Sequence, residues 1–138
     1  SEFCSIDTIS SFYYTAPEGF SNQPLFCNVV CHGLSVFNPF QLLLKVKEVE
    51  NSIGFTRQFL NGPRAIDIDL LFYDSLQLSV PGLTIPHPKL NNRIFVLGPL
   101  AEVAPNFIHP TFNKSILEIY NSFKQSRGNN TLIEKKVY

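Results

Sequence analysis

Two runs near the start of the chain are dominated by β-branched and aromatic residues: "IDTISSFYYTA", residues 6 to 16, and "LFCNVVCHGLSVF", residues 25 to 37. Each reads as a strand, and the intervening "PEGFSNQP", with its prolines and glycine, reads as a loop. In the second strand Phe26 and Asn28 share a face, because side chains alternate with a period of two. The period then changes. Leu42, Leu43, Val46, Val49 and Ile53 recur at helical spacing, with Asn38 as N-cap, Pro39 at the first helical position and Gly54 as the C-terminal cap. Leu43, Lys47 and Glu50 form a row at the edge of that apolar face; the bland reading of Lys47 and Glu50 is a flanking ion pair worth about 0.2–0.5 kcal/mol.

Beyond a loop, "FTRQFLNGP", the run "RAIDIDLLFY" alternates again. As a strand it would put Ile66, Ile68, Leu70 and Phe72 on a core face, and Asp67, Asp69, Leu71 and Tyr73 on the other. A Pro-rich connection follows, with a short strand around Leu83 to Ile85. "RIFVLGPLAEVAP" and "TFNKSILEIYNSF" are helical in pattern, broken by Pro99 and ended near Gly128, and "TLIEKKVY" closes the chain as a strand-like tail. The division is residues 1–126 as one domain and 127–138 as a tail or linker toward a following domain.

Composition narrows the class. The chain has 138 residues, 44% hydrophobic and 16% charged, enough for one domain with a real core. A formal net charge of zero gives no nucleic-acid footprint, and the apolar runs are far shorter than the roughly 18 residues of a membrane span. Cys4, Cys27 and Cys31, without a C-x-x-C pair, read as reduced, buried thiols of a cytoplasmic protein. P-loop, serine-hydrolase and zinc-protease motifs are absent from the sequence.

Asp67 and Asp69 are the notable pair. Carboxylates at alternate strand positions lie about 6–7 Å apart at Cα, a spacing at which they can share hard cations such as Mg²⁺. A solvated sheet face carries the same pattern, and Arg64 could simply pair with Asp67. In favour of chemistry stand Arg64, placed by the Gly62–Pro63 turn, and His87, Lys89 and Arg93 on the "PHPKLNNR" loop. Paired acids with several cationic donors are what phosphoryl transfer needs, since catalysis there is mostly positioning and charge stabilisation. His87, between prolines, also reads as an ordinary loop residue.

"GPRAIDIDLLFY" followed by "IPHPKLNNRIFVLGPLAEVAP", with "SSFYYTAPEGFSNQPLFCN" upstream, resembles the signature of the 6-hydroxymethyl-7,8-dihydropterin pyrophosphokinases of folate biosynthesis, over residues 6 to 125. The resemblance implies an α+β fold, a ferredoxin-like antiparallel sheet with helices packed on it. It implies pyrophosphate transfer from ATP to 6-hydroxymethyl-7,8-dihydropterin, with AMP as co-product and two Mg²⁺ ions on Asp67 and Asp69. Arg57 and Arg64 are implied as catalytic. Phe26 and Phe95 would sandwich the pterin, with Asn28 on its polar edge and Thr15, Ala16 and Glu18 beside it. Leu43, Lys47, Glu50, Arg64, Leu70, Thr84, His87 and Arg93 would take ATP.

The sequence departs from that pattern in several places. The family's opening strand, its "GSN" turn and its first helix have no match, Phe55 follows Gly54 where the family carries Arg, and Lys47 replaces a common Gln. The loop at 55–61 reads about one residue short, a change that bears on site closure. A non-catalytic pterin- or nucleotide-binding module is the alternative these departures leave open. "LIEKKVY" is similar to the first strand of dihydropteroate synthase, which implies a covalent fusion to that enzyme.

Overall fold

A computed structural model describes residues 3–15, 26–54, 66–127 and 133–134. Ala16, Glu18, Phe55, Arg57 and Arg64 lie outside the described residues, as do the side chains of Thr15 and Phe26. The described chain is α+β, with seven short strands and three helices.

The two runs predicted as single strands are each split in two. The first gives β1 (Cys4–Ile9) and β2 (Tyr13–Thr15); the second gives β3 (Phe26–Asn28) and β4 (Cys31–Ser35). β1 pairs antiparallel with β4, whereas β2 pairs with β3 and with the tail strand β7 (Ile133–Glu134). The breaks face each other. Ser10 N–H donates to the Val30 carbonyl at 2.8 Å, and Val30 N–H donates to Ser10 Oγ at 2.9 Å. One side-chain oxygen thus replaces a ladder acceptor, and the hairpin bends there, where Val30 enters the core. A register shift between Ile6 and Thr8 leaves Asp7 as the extra residue of a bulge.

Gly33 in β4 has a steric reason. A Cβ there would lie 2.7 Å from the Ser5 carbonyl oxygen and 3.0 Å from Cys4 Sγ. The cysteines are free, as expected, but they are not buried: Cys27 and Cys31 are exposed and Cys4 half-buried. They belong to narrow two- and three-stranded sheets, which leave much strand surface to solvent.

α1 (Pro39–Gly54) begins as its punctuation predicts. Asn38 and Gln41 cap each other: Gln41 N–H donates to Asn38 Oδ1 at 2.9 Å, and Asn38 N–H to Gln41 Oε1 at 3.0 Å. Val46 is buried and Leu42, Leu43 and Val49 are half-buried, but Ile53 near the helix end is exposed.

β5 (Leu78–Val80) and β6 (Leu83–Ile85) form a hairpin across Pro81–Gly82. Gly82 has φ +87°, the left-handed position that a Pro-Gly type II turn requires. α2 (Ile94–Val103) is not broken at Pro99, contrary to expectation. Leu97, Pro99 and Leu100 are all buried, so packing outweighs the missing N–H. α3 (Ile116–Arg127) starts on a reciprocal cap between Ser115 and Glu118, each N–H donating to the other's side chain at 3.1 Å.

The core joins Val30, Leu90, Leu97, Leu100, Ala101, Ile116 and Ile119, with Leu71 and Phe72 packed against it. Residues 66–72, predicted as a strand, have no strand pairing among the described residues. Their polar backbone groups go elsewhere: Ile68 N–H donates to the Glu50 carboxylate, and the Leu71 carbonyl accepts from His87 N–H at 2.9 Å. The two-face assignment fails with the strand, because Ile66 is exposed while Leu71 and Phe72, adjacent in sequence, both reach the core. The segment is instead tied to α1 through Glu50, and just beyond it Tyr73 Oη donates to the carbonyl of Phe37, which precedes the helix.

Candidate active site

α1, the segment carrying the two aspartates, the β5–β6 turn and the following Pro-His-Pro loop line an open cavity of about 370 Å³. Leu43, Lys47, Asp69, Leu70, Thr84 and His87 line it, together with Ile68, Gly82, Leu83 and Pro88. The first six are residues that the sequence singles out; the others carry no chemical group to mark them. The volume is within the range of small-molecule sites. The lining combines apolar leucines with an acid, a cation and an imidazole.

Glu50 sits behind this wall, its side chain only 7% exposed. Lys47 Nζ lies 3.0 Å from Glu50 Oε1, the ion pair that the spacing predicts. The other carboxylate oxygen accepts the N–H of Ile68, the residue between Asp67 and Asp69. That second bond has no counterpart in the spacing of the helix.

His87 Nδ1 accepts Lys89 N–H at 3.2 Å, so the neutral ring carries its proton on Nε2. Burial pushes His87 below its ordinary value of 6.5. The Asp69 charge opposes that shift, while the Arg93 and Lys89 charges add to it. A neutral imidazole with an Nε2–H to donate is the resulting state near neutrality. Arg93, the residue before α2, places its guanidinium 5.7 Å from the centroid of the Phe95 ring, within cation–π range. Arg93 does not line the cavity, but its charge is felt at His87.

Asn28 is half-buried in β3, opposite Tyr13 of β2, and α2, which carries Phe95, packs against both strands. Glu102 at the far end of α2 holds this junction. Its carboxylate accepts Ser11 N–H at 2.7 Å, Ser11 Oγ at 2.7 Å and Tyr13 Oη at 3.2 Å. Sequence reasoning missed Glu102; its signal, an acid on an apolar helix, names no partner ninety residues away.

Asp67 and Asp69 are both exposed. Among the described residues no cluster of three or more His, Cys, Asp or Glu gathers around a point. Two accessible oxygen donors beside a cavity fit Mg²⁺, which is held by one or two carboxylates and completes its shell with water and phosphate oxygens. They fit no site that needs nitrogen or sulfur ligands.

The sequence profile of the 7,8-dihydro-6-hydroxymethylpterin-pyrophosphokinases matches residues 1–105, about three-quarters of the chain. The chain belongs to this pyrophosphokinase family. A 2-amino-4-hydroxy-6-hydroxymethyldihydropteridine pyrophosphokinase of Aquifex aeolicus is 42% identical over 117 residues, covering 85% of this chain and 73% of its own length. The Bacillus subtilis enzyme of the same name is 37% identical over 99 residues, 72% of this chain and 59% of its own. The folic acid synthesis protein FOL1 of Dictyostelium discoideum is 42% identical over 110 residues, 80% of this chain. The chain spans 17% of the length of that FOL1 protein. The pyrophosphokinase match covers the α1 row, both aspartates, the Pro-His-Pro loop and α2.

Proposed function

We propose that this protein transfers the pyrophosphoryl group of ATP to the hydroxymethyl oxygen of 6-hydroxymethyl-7,8-dihydropterin, releasing AMP and the pterin diphosphate. The observation that carries the reading is the cavity lined together by Asp69, Lys47 and His87 and by the apolar side chains of Leu43 and Leu70. A flat base suits the leucines, and a polyphosphate suits the ammonium and imidazole. Family membership supports the reaction, and the mixed lining of the cavity supports ATP as its occupant.

In this reading Leu43, Leu70 and Thr84 seat the nucleotide base and ribose. Lys47, His87 and Arg93 hold phosphate oxygens, with Glu50 behind them, and Arg57 and Arg64 add cationic donors. His87 gives its Nε2–H as a neutral donor, a role its depressed affinity for protons favours. The pterin lies between Phe26 and Phe95, with Asn28 on its amide-like edge and the backbone near Thr15, Ala16 and Glu18 completing the match. The aromatic faces and the amide orient the hydroxymethyl oxygen toward the β-phosphorus. That oxygen forms the new bond, loses its proton, and the bond from the β-phosphorus to the bridging oxygen of AMP breaks.

Asp67 and Asp69 would hold two Mg²⁺ ions. Bound there, the ions supply charge neutralisation for the phosphate oxygens and polarisation of the attacking hydroxyl. The finer fold, a ferredoxin-like sheet completed by a further strand and helix, belongs to the same reading. Favouring it are the apolar side chains left open on β1, β4 and α1, with Ile9 63%, Leu34 69% and Leu44 66% exposed. Action in the cytoplasm and covalent fusion to dihydropteroate synthase, with residues 127–138 as linker, extend the proposal. The small fraction of FOL1 that the chain spans supports the fusion, and no helix of the described residues is long and apolar enough to cross a membrane.

The test is Asp69→Asn. The substitution keeps the shape and removes the charge, so turnover should fall by about a thousandfold or more, the scale of an electrostatic catalytic group, while the melting temperature stays near that of the unaltered protein. An Asp69→Asn protein that forms AMP at a near-normal rate would sink the assignment.

A further inference from the structure

Glu50 is the one carboxylate buried in the described part of the molecule, and each of its oxygens is engaged within the protein. One accepts from Lys47, on the cavity wall; the other accepts from Ile68 N–H, midway between the two proposed metal ligands. A carboxylate occupied in this way is poorly placed to bond a nucleotide directly. It is well placed to fix a piece of backbone. The segment needs such a tie, since residues 66–72 have no strand pairing among the described residues. Ile68 N–H is the backbone donor nearest both aspartates in sequence, and a charged acceptor bonds it more strongly than a carbonyl would.

We infer that Glu50 is a positioning residue: it clamps the amide between Asp67 and Asp69 to α1 and so sets how the two carboxylates are presented together. The inference rests on the functional reading above in taking both acids as Mg²⁺ ligands. Lys47 has a double part, because its ammonium balances the buried Glu50 charge while its side chain stands in the nucleotide cavity. Nucleotide phosphate competing for Lys47 would therefore be felt at the clamp, which couples occupancy of the cavity to the geometry of the acids. Groups that only orient metal ligands commonly change metal affinity about 10–100-fold when removed.

The experiment uses the full chain and two variants, Glu50→Ala, which removes the clamp, and Glu50→Gln, which keeps a side-chain oxygen for Ile68 N–H. Binding of a non-hydrolysable ATP analogue is measured by calorimetry with Mg²⁺ and with EDTA. Amide exchange at Ile68 is followed by nuclear magnetic resonance without any ligand. Glu50→Ala should weaken binding about tenfold in Mg²⁺, leave the EDTA arm within about twofold, and speed Ile68 exchange. Glu50→Gln should keep Ile68 protected and lie between the two, which covers the case in which the alanine variant does not fold. Equal losses in Mg²⁺ and in EDTA would mean that Glu50 contacts the nucleotide itself, and would overturn the inference. Unchanged Ile68 exchange in Glu50→Ala would overturn it as well. If the unaltered protein shows no Mg²⁺-dependent binding, the functional reading fails instead, and the exchange arm alone decides whether the clamp exists.

Discussion

Glu102 on α2 takes both the N–H and the hydroxyl of Ser11, each at 2.7 Å, and so fastens the helix that carries Phe95 to the bend between β1 and β2. Hydrogen bonds to a charged acceptor contribute about 1.5–3 kcal/mol, less where water reaches them, as it does here. Glu102→Ala should therefore lower stability by about 1 kcal/mol and raise the Michaelis constant for the pterin more than that for ATP. Parallel titrations of the two substrates check this. A change confined to ATP would show that the junction does not bear on the pterin side.

Gly33→Ala should destabilise the β1–β4 hairpin. The added Cβ meets the Ser5 carbonyl oxygen at 2.7 Å, a backbone atom that cannot rotate away. Overpacking of this kind costs about 1–3 kcal/mol, readable as a lower urea midpoint. Gly82→Ala meets no neighbouring atom and suffers only from its positive φ, so about 1 kcal/mol is expected there.

His109 gives the molecule a pH dependence. The ring is 3% exposed, stacked on Phe112 with centroids 4.3 Å apart, and its Nδ1 accepts the N–H groups of Thr111 and Phe112. Burial pushes its affinity for protons below the ordinary value of 6.5. The unfolded chain binds the proton first as the pH falls. The stabilisation from neutral His109 is thus complete above 6.5 and is lost as the pH falls from there toward the lower folded value. Thermal melts across this window should show a falling midpoint, and His109→Asn, whose Oδ1 offers an acceptor without titrating, should flatten that slope.

His87→Ala removes the Nε2–H from the cavity. One such donor to a phosphate or ribose oxygen is worth about 1–2 kcal/mol, or roughly tenfold in affinity. The expected result is a higher Michaelis constant for ATP with that for the pterin unchanged, measured by initial rates at saturating co-substrate.

What the sequence made legible was local. The Asn38 cap, the helix from Pro39, the strand at Leu83–Ile85 and the Lys47–Glu50 pair follow from residues a few positions apart. The acids, the Pro-His-Pro loop and the α1 row were also picked out singly, and the structure brings Asp69, His87, Thr84 and Lys47 to one cavity. The features that were not legible depend on distant partners. The strand breaks at Ser10 and Val30 exist because each bonds the other across twenty residues. α2 runs through Pro99 because Leu97 and Leu100 are buried on either side of it. The segment at 66–72 alternates like a strand, yet its amide goes to Glu50, so its regular pattern never becomes a ladder.

The central claim is that pyrophosphate passes in one step from ATP to the pterin. Its most direct measurement is the identity of the nucleotide product when the protein, Mg²⁺, ATP and 6-hydroxymethyl-7,8-dihydropterin are combined and resolved by chromatography. AMP and the pterin diphosphate should form in equal amounts, dependent on both substrates. ADP with a pterin monophosphate, or bound pterin with no nucleotide product, would contradict it.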